Sequence, residues 1–277
     1  MKRIKAIPFF CNNRGLSYAI SAVIITGTTV MLVLVASIYA YQIMEQQRGL
    51  AEFEAAKKSI ITFNDGLENV AWKTRAVRAT RFSIQYGYLQ LIPDANLMSI
   101  NATVDGVLTP LSNSTFPGST GVIKYWIETK YVTFGGNYES YILGSPSSVV
   151  SEGMDSYGRA VVEQQPNWVS ITLDYRVRVM RTAVIKVNNV DTNYVDIWVI
   201  KVKMPVPHAW SYINEFDLKA SCDSVQTVSY EIKDVSNQAS VVSVRIGDAS
   251  DYQVPITLVT PGDVVFNVIV SEVQVSV

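Results

Sequence analysis

The residues of this chain that could do chemistry are few and widely spaced. A serine or cysteine nucleophile needs an imidazole base, and the 277 residues include one histidine, His208. Between Pro207 and Trp210, it is expected to have a surface or capping role. Asp155, Arg159 and Glu163 in "MDSYGRAVVEQQ" could form an acid/base pair or a cation site, although charges at this density usually mark a solvated face. The segment contains no G-x-S-x-G, P-loop, G-x-G-x-x-G, H-E-x-x-H or C-x-x-C pattern, and neither does the rest of the chain. Nothing here predicts a catalytic residue, a metal site or a cofactor, so the expectation is a protein that is not an enzyme.

Cysteine usage points the same way. Cys11 lies in a basic N-terminal segment and Cys222 far downstream, so removal or cytoplasmic retention of the first prevents pairing. Cys222 is expected to be a small core residue. Two N-x-[ST] sequons, at Asn101 and Asn113, are candidate N-glycosylation positions, the second within a Pro/Gly/Ser-rich loop. Their number is what this composition gives by chance.

The net charge of -1 conceals an asymmetry, because Lys2, Arg3, Lys5 and Arg14 are unbalanced by any acid in the first fifteen residues. Without them the remainder is mildly acidic. Such a surface lacks the clustered Lys and Arg that phosphate binding needs, so nucleic acid is not an expected partner.

The charges stop at Arg14, and thirty uncharged residues, 15–44, follow. As a helix they would reach roughly 45 Å, against a hydrocarbon core of about 30 Å. The basic N-terminal flank favours a cytoplasmic start. Tyr39 and Tyr41 stand where an outer-interface aromatic would, and Gly27 among threonines allows close helix contact. A secretory signal cut near Val35-Ala36-Ser37 is one alternative, but the apolar run is too long for one. An uncleaved single-pass anchor is another.

A short basic leader ending in Arg14-Gly15, followed at once by Leu16-Ser17 and an apolar helix, resembles the class III signal peptide of archaeal type IV pilins and flagellins. The resemblance covers about the first 45 residues. Two positions depart from the pattern: Tyr18 replaces a frequent proline, and Ile20 stands where bacterial pilins carry glutamate. The resemblance implies a prepilin peptidase that cuts after Gly15, leaving Leu16 as the first mature residue. It implies a helix retained for anchorage or assembly, for which Ala19, Val23, Gly27, Val30 and Leu34 are the candidate positions. Other pilin-like subunits, copies of the same chain and the membrane are the implied partners. The implied locations are the cell membrane with an outer C-terminal head, or a surface filament.

Beyond Met44 the chain becomes polar but keeps a helical beat. Phe53, Ala56, Ile60, Phe63, Leu67 and Val70 form an apolar stripe, with Glu52, Glu54, Lys57, Lys58 and Glu68 on a face read as solvated, Glu54 pairing with Lys58. Asn64-Asp65-Gly66 should bend or end the helix. The expected organisation is a leader at 1–15, a membrane or filament-core helix at 16–44, an amphipathic extension at 45–72 and a β-rich head at 73–277, with a possible subdivision near 204–220.

From Arg78 the period becomes two. Strands are expected over 81–92, 99–104, 122–134, 138–143, 168–179, 194–203, 225–232, 241–246, 253–259 and 264–277. Gly135-Gly136 should turn a hairpin. "WVSITLDYRVRV" alternates core residues with a wet face of Ser170, Thr172, Asp174, Arg176 and Arg178. "PHAWSYINEFDLKA" reads as a short helix. The last run is so strongly β that it belongs inside a sheet. The fold class is therefore α+β, a long apolar N-terminal helix followed by a mainly antiparallel, β-sandwich-like head.

Overall fold

Neither Gly27 nor Gly66 interrupts the first element. In the computed structural model, α1 runs Asn13–Ala71 as one helix. Past its end the Lys73 N–H bonds to the Val70 carbonyl at 2.9 Å, and Arg75 then takes a φ of 67° with its N–H on the carbonyl of Cys222 at 2.9 Å. The structure describes residues 13–113, 115–150, 155–204, 208–211, 215–247 and 250–277. The chain divides into two compact units, Met1–Gln47 and Arg48–Val277. The described part of the first unit consists of α1 alone, and the second holds the rest of the helix and all the described strands.

The strands of the second unit begin with β1 (Val77–Ser83), β2 (Tyr88–Val104), β3 (Val107–Pro110), β4 (Ser119–Glu128) and β5 (Glu139–Leu143). They continue with β6 (Val149–Val150), β7 (Gly158–Gln164), β8 (Trp168–Tyr175), β9 (Val177–Val187) and β10 (Val190–Lys203). The last are β11 (His208–Ser211), β12 (Glu215–Val235), β13 (Ala239–Ile246), β14 (Tyr252–Thr257) and β15 (Gly262–Ser276). A six-stranded sheet has the order β1-β12-β15-β10-β9-β6. A nine-stranded sheet runs β14-β13-β2-β4-β8-β7-β5, with β3 and β11 also on β2. Pairing is antiparallel except β10 on β15 and β6 on β9.

Burial shows why these sequences choose these strands. β15 lies between β12 and β10, so its unbroken β character is fully paired, as expected. Val264, Phe266, Val268 and Val270 point to one side, and Val273 and Val275 to the other. The two sets enter different cores. One core gathers the α1 stripe with Leu89, Leu91, Tyr125, Ile171, Leu218 and Val273; the other is purely β, including Ile100, Val179, Ile197, Val244 and Phe266. β10 divides in the same way, Val195, Ile197 and Val199 serving the second core and Ile200 and Val202, with Met204 just past the strand, the first. In β2 the change of face follows a register shift between Ile92 and Asn96, where Pro93 has no N–H to give the ladder.

Four expectations need correction. The helix read over 207–220 is absent from the described residues of that stretch. β11 pairs His208 with Leu91 and Trp210 with Leu89, and β12 is already extended at Glu215. The period-two run Leu218, Ala220, Cys222, all buried, outweighed the helical spacing of Trp210, Ile213 and Asp217. The hairpin at Gly135-Gly136 does not form either. β4 stops at Glu128, Tyr131 N–H turns back to the Glu128 carbonyl at 3.0 Å, and β5 pairs with β7.

The strand 168–179 is divided at Arg176, β8 lying in one sheet and β9 in the other. Its supposed wet face is largely covered, with Ser170, Asp174 and Arg176 buried. Finally, the Asn64-Asp65-Gly66 break is overridden by packing. Asn64 is buried, and the stripe on either side of it, Phe53, Ile60, Phe63, Leu67 and Val70, is at most 2% exposed. Each such side chain contributes about 1.5–3 kcal/mol on burial, more than the roughly 1 kcal/mol that glycine costs a helix.

Candidate functional site

The sequence-predicted site is the apolar half of α1. Among the described residues one helix, over the stretch Ile20–Ala71 of α1, is long and apolar enough to cross a membrane, and none of its most apolar window is buried. Val23, Val30 and Leu34 are exposed at 70%, 58% and 58%. No heavy atom lies within 4 Å of where a Cβ on Gly27 would stand. Ala19 lies in the same helix. This surface has the character of a core with nothing over it.

Four of its hydroxyls bond within the helix. The hydroxyls of Thr28 and Thr29 donate to the carbonyls of Ile24 at 3.0 Å and Ile25 at 2.7 Å, Ser37 donates to Val33 at 2.7 Å, and Thr26 donates to Ala22. Such back-bonding gives these four hydroxyls a partner without water. Arg14, Gly15 and Leu16 fall in the first turn of α1. Residues 1–12, with Cys11 and most of the leader, lie outside the described residues.

The second unit grips its part of the same helix through carboxylates that were read as solvated. Glu52 accepts the consecutive backbone N–H groups of Gln85, Tyr86 and Gly87 at 2.7, 2.8 and 2.8 Å. It also accepts the Tyr125 hydroxyl at 2.8 Å. Gly87 is required there, since a Cβ would stand 2.4 Å from the Tyr125 hydroxyl. Glu68 accepts Asn64 Nδ2 at 3.0 Å, the Gly158 N–H at 3.0 Å and the Ser156 hydroxyl. On the outer face, Lys57 pairs with Glu54 at 3.1 Å, one turn position away from the Glu54 to Lys58 pairing expected.

The acid/base candidates do not converge. Arg159 donates through Nε to Asp174 Oδ1 at 2.9 Å, through Nη2 to Oδ2, and through Nη1 to the Pro146 carbonyl at 2.9 Å. The Asp174 hydrogen bonds raise its pKa. Asp155 offers its backbone carbonyl to Arg178, and Glu163 lies on β7 opposite Glu139 and Ser170. Among the described residues no three His, Cys, Asp or Glu side chains are grouped to hold a metal. Cys222 is buried and its Sγ bonds to the Ala71 carbonyl at 3.1 Å.

The two sequons sit differently. Asn101 lies within β2, paired on both sides, with Ser243 and Pro110. Asn113 is exposed, and its Oδ1 accepts Thr115 N–H at 2.9 Å, Thr115 Oγ1 at 2.7 Å and Phe116 N–H at 2.7 Å. These bonds engage the amide oxygen and none of them uses the Nδ2.

Sequence reasoning missed Glu52 and Glu68 as holdfasts because an acid beside an apolar stripe looks the same whether it meets water or a turn of backbone N–H groups. The glycine in "QYGY", where the alternation of Phe82, Ile84 and Tyr86 changes phase, was the available signal. No protein-family model, curated protein or solved structure matches this chain.

Proposed function

We propose that this protein is a pilin-like subunit of an archaeal type IV pilus or related surface filament, structural or adhesive, assembled through its N-terminal helix after a prepilin peptidase removes the leader at Gly15. One observation supports the reading above others. A single helix carries an uncovered apolar surface and continues, without a break, into a stripe at the centre of a β-rich unit's core. An ordinary anchor needs only the first of these. A subunit needs both, because its helix must hold the globular unit while its apolar face is passed from lipid to neighbouring copies. Gly15 in the first helical turn is where local unwinding for cleavage costs least. No catalytic role is proposed.

A second reading is a single-pass anchored surface protein, or a minor pilin-like component that binds an envelope partner without forming a filament. The internally bonded hydroxyls of Thr26, Thr28, Thr29 and Ser37 favour permanent residence in lipid. Expression with and without Gly15→Val distinguishes the readings. The unaltered chain should begin at Leu16 on N-terminal sequencing and appear in purified filaments by electron microscopy, and the variant should lose both. An intact Met1 in surface-exposed protein would exclude processing, and a processed chain absent from every filament would favour the second reading.

A further inference from the structure

An open groove of about 710 Å³ is lined by residues of the second unit alone. Its floor is aromatic. Trp72, just past the end of α1, meets Trp198 of β10 edge to face at 5.0 Å and Tyr157 at 5.6 Å. Exposed Asp65 and Asn69 of α1 also line it, with Met180 and Thr182 of β9.

Two of the groove's three charged side chains, Arg178 and Glu68, are already engaged. The Arg178 guanidinium lies over the Tyr157 ring at 4.1 Å and donates to the Asp155 carbonyl. Glu68 is held by Asn64, Ser156 and Gly158. A cationic ligand would be drawn by Asp65 but would find the Tyr157 face already occupied by the Arg178 guanidinium, a like charge. An anionic one would approach Asp65 and Glu68 with like charge. A purely apolar occupant would cover Asp65 and Asn69 without bonding them, at the cost of their desolvation.

What remains is a shallow indole floor with a few hydrogen-bonding groups at its edge. Asp65 offers a carboxylate. Asn69 gives its Nδ2 to the Asp65 carbonyl at 2.7 Å, which leaves its side-chain oxygen as an acceptor. A pyranose ring is the small neutral group that fits such a surface, having an apolar C–H face for the indoles and hydroxyls around its circumference for the rim. We propose that this groove binds a neutral saccharide. The proposal does not depend on filament assembly and stands with either reading of the helix.

The test uses the full chain purified in an amine-oxide detergent, since a glycosidic detergent would compete. Tryptophan emission is titrated with tetrasaccharides of α-mannose, β-glucose and β-N-acetylglucosamine, with a galacturonate tetramer and with tetralysine. At least one neutral tetrasaccharide should change the emission saturably. Trp198→Ala should weaken that binding about tenfold, the size of one lost stacking contact. Asp65 is exposed and outside the core, so Asp65→Ala should weaken it several-fold at an unchanged melting midpoint, which separates binding from folding. Absence of binding by all three neutral sugars, preference for galacturonate or tetralysine, or binding that both substitutions leave intact would overturn the proposal.

Discussion

Tyr125 on β4 donates its hydroxyl to Oε1 of Glu52 on α1 at 2.8 Å, and the same carboxylate receives three successive backbone N–H groups of the turn before β2. One side chain thus ties the helix to both β4 and the β1–β2 turn. Charge-assisted bonds of this kind are worth more than neutral ones, and their donors lose their partner if the acid is removed.

Glu52→Ala is therefore expected to destabilise the second unit by about 3 kcal/mol. Glu52→Gln, which keeps one acceptor oxygen, should cost less. Near-ultraviolet circular dichroism during urea titration of the full chain in detergent measures both. Equal midpoints for the unaltered chain and Glu52→Ala would show that water replaces the carboxylate without loss.

Alkaline pH should weaken the fold. Burial pushes the Tyr125 phenol well above its usual range, with Glu52 adding to it. Burial does the same to Tyr175, with Glu68 and Asp174 contributing. Tyr141 is pushed up to about 12, chiefly by its hydrogen bond to Glu139. A raised folded-state pKa means that the native protein keeps protons the unfolded chain releases above about pH 10. The stabilisation is complete below that pH and is lost as pH rises through the phenol range. Melting midpoints recorded from pH 8 upward should be level and then fall above about pH 10, less steeply in Tyr175→Phe.

Asp174 and Arg159 form a two-pronged ion pair whose side chains are 10% and 16% exposed. Removing one partner strands a largely buried charge, so Asp174→Asn should cost about 3–5 kcal/mol. The double substitution Arg159→Met with Asp174→Leu should recover much of that loss. Thermal melts of the unaltered chain, Arg159→Met, Asp174→Leu and the double substitution give the coupling directly, and additive losses would contradict it.

The helix and most strands were legible because burial follows period. The stripe from Phe53 to Val70 and the alternation of Val169, Ile171, Leu173 and Tyr175 name core residues correctly. What sequence could not reveal was which sheet receives a strand. Nothing in "DYRVRV" signals that the chain passes from one sheet to the other at Arg176, or that this arginine is buried with Nη1 on Ser145 at 3.0 Å. The stretch 207–220 misled for a related reason, since a strand with one exposed face and a short helix share the same composition. The saccharide groove was invisible because Trp72 and Trp198 are far apart in the chain and meet only when α1 packs beside β10.

The two-faced strands leave the second unit without a seam. β10 and β15 each give alternate side chains to both cores and pair with one another along thirteen residues, Asp191 with Gly262 through Lys203 with Gln274. A protease cut or gene truncation that removed either strand would open both cores together. No stable half should be recoverable, and any descendant of this chain would have to gain or lose the whole unit rather than a lobe of it.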